Sequence, residues 1–501
     1  MKKNKKTYLV VVKEDSASGI KKFIDMWSGP EKLIPFFIQP YESIVNHASL
    51  SLFENPVKFD LNNFNKNISY FSKNEMNELS GWLNSSVLIE GFSLGRDWKK
   101  EYSKSAIEIY INLCGVYYDS VIKKYKPDGI IDFESDNLIR AILDIVRKRY
   151  SCKYMVFYSS RFGPYTFLCD GIIEPQIFKL NNNVSSKESR LIISEYRRAH
   201  NLHADEKTFD SRNKDFGIFQ LLKSITKSII FHTKIIFKSQ KYRKKLDAYD
   251  NTLSSLMLGG GFHYLLWQIK FFVRRYCFLK FYGSNIKKST VIQNKYAYFA
   301  LGQTVEGSEP NFSNGFLNDL ICVQLLKPYA DRSFFRLLVK DHRSMAGDRR
   351  IWQIKLINNL FVDLVWGRQL IEAQWSKDPI SIVRSSNCVF TLSGSVGLEA
   401  LLYKKPSFVF GNPLYKQIFI KAGHKFPLIS DLPSFVKDPT FFSCDELVIE
   451  DAVKMIISNS TKFSIYQIKR YDAPGVEYND NNFLTAISHI ENAINNNFST
   501  L

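Results

Sequence analysis

Residues 387–415 read NCVFTLSGSVGLEALLYKKPSFVFGNPLY, and this stretch decides the fold class. The apolar run Cys388–Thr391 predicts a short buried strand, which is followed by a Ser/Gly loop and a short helix. Lys405-Pro406 ends that helix, because proline cannot continue it, and Ser407–Phe410 predicts a second strand. A strand, a helix and a strand joined by short loops predict two parallel strands, the repeating unit of an α/β fold.

The loop between that strand and helix has the composition of an anion-binding turn. Ser393-Gly394-Ser395-Val396-Gly397 stands where a strand's carboxyl end meets a helix N-terminus, where backbone N–H groups lack helical partners and the dipole adds about half a positive charge. We expect phosphate oxygens to bind Ser393, Gly394, Ser395 and Gly397, and Glu399 to reach ribose hydroxyls. The alternative is structural: Ser393 or Ser395 caps the helix and Glu399 complements its dipole.

The same alternation of strands and helices runs through most of the chain. Before residue 200 the short apolar runs are Tyr8–Val12, Lys32–Ile38, Ser86–Ile89, Ile130–Phe133 and Tyr154–Tyr158, and the helical patterns are Ile20–Trp27, Tyr102–Lys126 and Asn137–Arg149. After residue 290 the predicted strands are Tyr296–Ala300, Phe335–Lys340, Cys388–Thr391 and Ser407–Phe410. Strand–helix–strand at this spacing predicts a parallel sheet in each half of the chain.

The chain divides into four parts. Residues 1–215 form a first α/β lobe with a polar exit from residue 181, and 216–290 form a basic helical segment. Residues 291–465 form a second α/β lobe, and 466–501 end in an amphipathic helix. A chain of 501 residues is too long for one core, because domains run about 100–200 residues.

Composition narrows the class of protein. Apolar residues make up 45% of the chain and charged residues 23%, which is typical of a globular protein and excludes general disorder. The seven cysteines match neither a zinc site nor a disulfide framework, so we expect small buried hydrophobes in a reducing cytoplasm. The apolar run at the N-terminus is too short for a secretion signal, and no stretch approaches the roughly 20 apolar residues of a spanning helix.

Three further stretches join the Ser/Gly loop in a family resemblance. Residues 387–415 resemble the TxTGTxGxEALxxGKPxxxFGxxxY motif of the bacterial capsule polysaccharide biosynthesis family, which includes retaining Kdo transferases. Residues 298–320 resemble its PLHxQPEASxxxxGxxFxDQ segment, with Glu306 and Ser308 aligned and Gln303 one position off. Residues 338–343, LVKDHR, resemble its VKEHP strand end, with His342 at the histidine. Asp132–Arg140 with Ser159-Ser160-Arg161 resembles an acidic turn, helix and arginine found in the group.

The resemblance implies a fold and an activity. The expected fold is GT-B-like, with two Rossmann-like lobes across a cleft: the first takes the acceptor, the second binds the donor nucleotide, and the C-terminal helix returns to the first lobe. The expected activity is transfer of a sugar from a nucleotide donor, a CMP-linked sugar such as CMP-Kdo being favoured, to a glycan or lipid-linked glycan. No metal or tightly bound cofactor is expected. A nucleotide-sugar epimerase and a non-catalytic polysaccharide assembly or export protein are the alternatives.

Roles follow for the matched residues, beside structural alternatives. The donor-binding set is Gln303, Glu306, Ser308, Lys340, Ser393, Gly394, Ser395, Gly397 and Glu399. His342 stabilises the leaving phosphate, or caps a strand end. Glu134 and Asp136 are the catalytic carboxylates, acting as base or nucleophile, although Asp136 is an equally good N-cap for the next helix. Arg161 binds a phosphate or sugar carboxylate, or is a surface residue.

The basic segment has its own pattern. Of the net charge of +19, residues 217–290 contribute +12, with fourteen Lys or Arg against two Asp. Lys223, Lys227, Lys234 and Lys238 fall within roughly 60° of one helix face, with apolar residues over much of the rest. With Arg274 and Arg275 this predicts contact with an anionic membrane surface, on the inner face of the cytoplasmic membrane. The alternatives are an interlobe connector with solvated lysines and, less favoured, a nucleic-acid-binding surface.

Overall fold

A computed structural model of the chain describes residues 6–59, 103–198, 217–283, 296–300, 319–331, 336–340 and 379–501, with short gaps inside several of these ranges. The predicted run Ser86–Ile89 lies outside the described residues. Within them the chain is a mixed α/β protein with two separate sheets.

The first sheet carries seven of the described strands. They are β1 (Thr7–Val12), β2 (Lys32–Phe37), β3 (Gly129–Asp132), β4 (Lys153–Ser159), β5 (Tyr165–Asp170), β6 (Gln176–Ile177) and β11 (Ser460–Lys462). Their order is β11-β5-β4-β3-β1-β2, with β6 beside β5. Strands β1 to β4 are parallel, whereas β5, β6 and β11 pair antiparallel. Tyr8–Val12 is buried throughout because β1 lies between two parallel neighbours, which explains its unbroken apolar run.

The second sheet is wholly parallel. Its strands are β7 (Tyr296–Ala300), β8 (Arg336–Lys340), β9 (Cys388–Thr391) and β10 (Ser407–Val409), in the order β10-β9-β7-β8. Read from its first strand, this order repeats that of β1 to β4: the second strand lies on one side of the first, and the third and fourth lie on the other. The predicted parallel sheet is therefore confirmed in the second half of the chain, and in the first half it is confirmed for β1 to β4.

Helices cover both sheets and form the segment between them. They are α1 (Ala17–Met26), α2 (His47–Ser51), α3 (Lys104–Tyr125), α4 (Leu138–Arg147), α5 (Ser186–Arg198), α6 (Ile218–Lys238), α7 (Gln240–Asp247), α8 (Phe262–Gly283), α9 (Asp319–Asp331), α10 (Pro379–Ser385), α11 (Val396–Leu402), α12 (Leu414–Lys421), α13 (Leu432–Lys437), α14 (Glu446–Ser458) and α15 (Asp480–Asn495). Short 3-10 turns occupy Lys148–Tyr150, Ile429–Asp431 and Pro439–Phe442.

The C-terminal segment packs on the first sheet. Strand β11 pairs with β5, and the Thr166 hydroxyl donates to the Phe463 carbonyl at 2.9 Å. Helix α15 contacts α1, and Phe483 and Ile490 belong to one buried cluster with Val10. The chain thus crosses back to the first sheet after building the second.

Helix α5 ties the first lobe to the second. It lies in the polar stretch from residue 181, for which the sequence predicted only an exit, and it packs on α14. The Arg197 guanidinium donates to both carboxylate oxygens of Glu446, at 2.8 and 3.0 Å, and to the Leu402 carbonyl at 2.7 Å. Ile193 and Tyr196 are buried in a cluster that also contains Ile130 of β3.

The cysteines behave as small core residues. None of the seven forms a disulfide, and six are buried. Burial raises the pKa of the Cys114 and Cys388 thiols to about 12, which keeps them protonated and unreactive. The expected role as small buried hydrophobes is confirmed for these six.

Candidate functional site

The Ser/Gly loop lies between β9 and α11. Leu392 is buried, and Ser393, Gly394 and Ser395 are partly exposed. Inside the loop the Gly394 N–H donates to the Thr391 hydroxyl at 3.0 Å, and the Gly397 N–H donates to the Gly394 carbonyl at 3.2 Å. These two glycine amides therefore hold the turn together, and an anion at this loop has to take its hydrogen bonds from the serine hydroxyls and the other amides.

Ser395 does not cap the helix with its side chain. It stands at the N-cap position of α11 with helical backbone angles, and its side chain makes no capping hydrogen bond. Its hydroxyl lies 3.2 Å from Glu399 Oε1, one turn further along. The alternative prediction, that the Ser395 side chain caps the helix, is therefore wrong.

Glycine at position 397 has a steric cause. A Cβ atom there would lie 2.2 Å from the Tyr415 hydroxyl and 3.1 Å from Cγ2 of Thr391. The Tyr415 hydroxyl needs this space because it donates to the Gly394 carbonyl at 3.0 Å. Tyr415, at the start of α12, thus fixes the loop from behind.

Glu399 lies near helix α5, close enough for its charge to act on Tyr196. It is 8% exposed, in the first turn of α11. Burial, with the charge of Glu399 next, raises the pKa of Tyr196 in α5 well above its ordinary value. The Tyr196 ring stacks on Phe162 at 4.9 Å between centroids, and Phe162 follows the carboxyl end of β4. Tyr196 therefore packs beside the carboxyl end of β4 and lies within the electrostatic reach of Glu399.

The loop occupies the topological switch point of the second sheet. From β7 the chain goes to β8 on one side and then to β9 on the other, so the loops after β7 and β9 diverge at neighbouring strand ends. Open α/β sheets bind ligands in the crevice outside such a point. The loop after β9 is therefore the candidate ligand-binding site of the second sheet.

Several predicted donor-binding residues follow the neighbouring strands. Gln303, Glu306 and Ser308 come after β7, which ends at Ala300, and His342 comes two residues after β8 ends at Lys340. These four, and the side chain of Lys340, lie outside the described residues. Because β7 and β8 are parallel to β9, the carboxyl ends of these three strands lie at the same edge of the sheet.

In the first lobe, hydrogen bonds of Asp132 hold the carboxyl end of β3 in place. Glu134, Asp136 and Arg161 lie outside the described residues, but β3 ends two residues before Glu134, at Asp132. The buried Asp132 carboxylate accepts hydrogen bonds from Arg140 at 2.7 Å and from the Tyr154 hydroxyl at 2.8 Å. Asp132 is therefore a structural member of the acidic turn, a role that the sequence pattern did not distinguish.

Lys416 is a residue at this edge that the sequence did not single out. Its ammonium donates to the carbonyls of Val409 and Gly411, at 2.8 and 2.9 Å, where β10 ends. Burial lowers its pKa to about 8. It follows Tyr415 directly, so neighbouring side chains of α12 fasten the loops after both β9 and β10.

The remaining predicted contacts lie on the basic helices. Lys223, Lys227 and Lys234 of α6 and Arg274 of α8 are exposed, and the side chains of Lys238 and Arg275 lie outside the described residues. Among the described residues, no group of three His, Cys, Asp or Glu side chains is arranged to hold a metal ion.

Known proteins resemble the chain only remotely. No family model and no curated protein matches it. It is similar to the UDP complex of MnaA from S. aureus, with 10% identity, 98% of this chain and 97% of that chain covered and a TM-score of 0.26. It is also similar to the beta Kdo 2,7 transferase KpsC from Thermosulfurimonas dismutans (10% identity, 90% of each chain, TM-score 0.31) and to UDP-GlcNAc 2-epimerase from Neisseria meningitidis bound to UDP-GlcNAc (12% identity, 90% and 98%, TM-score 0.27). At these TM-scores the likenesses assign neither reaction nor ligand to this chain.

Proposed function

We propose that this protein is a glycosyltransferase of surface polysaccharide assembly that uses a nucleotide-activated sugar. One observation carries the proposal: the Ser/Gly loop, picked out by its sequence, lies partly exposed at the topological switch point of the second sheet. A buried carboxylate, Glu399, stands one helical turn behind it. A nucleotide needs hydrogen-bond donors for its phosphate oxygens and a hydrogen-bond acceptor for its ribose hydroxyls. The loop and Glu399 offer both, side by side.

The donor is held by complementary groups. The hydroxyls of Ser393 and Ser395 donate to phosphate oxygens, and Glu399 accepts hydrogen bonds from ribose hydroxyls. In the free protein the Ser395 hydroxyl bonds to Glu399, so donor binding exchanges this contact for two contacts to the ligand. Gln303, Glu306, Ser308 and Lys340 complete the donor site from the ends of β7 and β8.

The chemical step uses both lobes. His342 and the loop stabilise the negative charge that develops on the leaving phosphate. Glu134 or Asp136 acts on the acceptor hydroxyl as base or on the sugar as nucleophile, and Arg161 binds an acidic group of either substrate. The Asp132–Arg140 pair supports this assignment, because it anchors the strand end from which the catalytic turn departs.

A nucleotide panel tests the donor site. CMP, UDP and their sugar conjugates are titrated into the full chain by calorimetry, and we expect one nucleotide series to bind. That nucleotide should also raise the melting temperature of the protein. At roughly 100-fold excess over Kd, its binding stabilises the folded state by about 2.7 kcal/mol. Glu399→Gln should weaken binding, whereas Ser443→Ala, an exposed serine outside the loop, should not. If no nucleotide binds, the proposal is wrong.

The reaction is distinguished by its need for an acceptor. The bound donor is incubated with and without a lipid-linked glycan, and release of free nucleotide is followed. A glycosyltransferase releases nucleotide only when the acceptor is present. Conversion of the donor sugar without an acceptor would instead identify an epimerase, and binding without any turnover over a full panel of acceptors would favour the assembly protein.

A further inference from the structure

Helices α6 and α8 pack against each other through a polar seam. On α6 the buried positions include Ser228, His232 and Ile235, at the three- and four-residue spacing of one helix face. His232 Nε2 lies 3.3 Å from the side-chain oxygen of Gln268 in α8. The inner face of this pair therefore contains a histidine hydrogen-bonded to a glutamine, with a buried serine one turn away.

The outer face of α6 is apolar, the reverse of a helix on a water-soluble domain. Large hydrophobic side chains are exposed on this face: Ile218, Phe219, Leu222, Ile229, Ile230 and Phe237. Phe219 is 85% exposed and Phe237 is 76% exposed. Exposed apolar side chains of this size and number mark a surface that a partner or a lipid phase covers.

Lysines flank this patch on one side. At about 100° per residue, Phe219, Ile230 and Phe237 fall on one line, and Lys223, Lys227 and Lys234 run directly beside them. Neither α6 nor α8 contains an aspartate or glutamate, and α8 adds exposed Lys270 and Arg274. The surface thus offers apolar contact and positive charge together.

We propose that the α6–α8 pair docks on an anionic lipid bilayer, with the line of Phe219, Ile230 and Phe237 below the phosphate level and the lysines at it. An apolar ridge bordered by lysine is the composition of a helix lying in the bilayer interface. Protein interfaces are depleted of lysine at their cores, and nucleic acid gives exposed isoleucine and leucine nothing to bury against. Of the helices in the described part of the chain, none is long and apolar enough to cross a bilayer. The inference rests on these two helices alone and stands whether or not a nucleotide binds.

Vesicle flotation of the full chain tests the proposal. Phosphatidylcholine vesicles are compared with vesicles that also contain phosphatidylglycerol, and the protein should float only with the anionic vesicles. The variant Phe219→Ser/Ile230→Ser/Phe237→Ser should lose flotation. The variant Lys223→Glu/Lys227→Glu/Lys234→Glu should also lose it, and added salt should weaken wild-type binding. The matched control is Phe441→Ser, because Phe441 of the second lobe is as exposed as Phe219, at 85%. This control variant should float as wild type does.

Circular dichroism and melting temperature establish that each variant is folded, and the lysine variant carries the test if the apolar variant is not. The proposal is overturned if wild type does not float with anionic vesicles, or if both folded variants still do. It is equally overturned if light scattering shows a dimer that only the apolar variant dissociates while flotation is absent, because the patch then serves a second copy of the chain.

Discussion

At the scale of single residues, the Ser/Gly loop is shaped by side chains behind it. The sequence suggested that its glycines let the backbone approach a phosphate. The structure shows a second role for them: the Gly394 and Gly397 amides bond within the loop, and Gly397 makes room for the Tyr415 hydroxyl. The local sequence pattern could not predict this reason for glycine at position 397, because Tyr415 belongs to the next helix.

Replacing Gly397 with alanine should therefore strain the loop. The new Cβ would lie 2.2 Å from the Tyr415 hydroxyl, so we expect Gly397→Ala to destabilise the fold by about 1–3 kcal/mol, as overpacking does. Tyr415→Phe alone should cost about 1 kcal/mol for the lost hydrogen bond. Urea unfolding of both single variants and the double variant measures the coupling. The double variant should lose less unfolding free energy than the two single variants lose together. If the two losses simply add, the clash with Tyr415 is not the reason for glycine at this position.

At the scale of elements, the local patterns located the parallel strands but not the pieces that join the lobes. Helix α5 was missed because its sequence is mostly polar and its support comes from Glu446, on a helix far along the chain. Strand β11 was missed because three residues, Ser460–Lys462, carry no periodicity and are fixed by pairing with β5. Long-range partners decided both elements.

Helix α15 and β11 share one titratable contact. His489 of α15 is fully buried, its Nδ1 lies 2.7 Å from the Thr461 hydroxyl, and its ring meets Phe157 edge-on. Burial lowers the pKa of His489 to about 3 from its ordinary 6.5. The folded protein therefore keeps this ring neutral where the unfolded chain protonates it, so stability is full above pH 6.5 and falls as pH drops towards 3.

His489→Gln should flatten this dependence. Between about pH 7 and about pH 5, wild type should lose roughly 2 kcal/mol more unfolding free energy than the variant, at about 1.4 kcal/mol per pH unit below the unfolded pKa. Urea unfolding at both pH values measures it. Thr461→Val serves as the control, since it removes the contact but keeps the titrating group and should retain the slope. Equal slopes for wild type and His489→Gln would show that the histidine is not held neutral.

At the scale of the molecule, the same strand order occurs twice. In the parallel part of each sheet the third strand returns to the far side of the first, so each sheet has a switch point of the kind where open α/β folds bind ligands. The sequence predicted the two α/β halves because buried parallel strands read as apolar runs. The antiparallel additions β5, β6 and β11 were not predicted, since their pairing is set by tertiary context.

The candidate site was predictable in part for a related reason. The loop after β9 combines a strand end, a turn and a helix start within fifteen residues of chain, so its position was readable from sequence alone. The stacking of Tyr196 on Phe162, within the electrostatic reach of Glu399, joins segments far apart in the chain and had no local signal. Glu134, Asp136, Arg161 and His342 stay predictions, carried by the strand ends that precede them.

Hydrogen–deuterium exchange of the full chain, with and without the nucleotide sugar that binds it, tests whether the Ser/Gly loop after β9 forms the donor site. Peptides covering residues 392–399 should exchange more slowly in the complex, together with those that follow β7. Peptides of the same length in α15 should be unchanged and serve as the internal control. Saturating nucleotide that leaves residues 392–399 unprotected, or protects only the first sheet, would contradict the account.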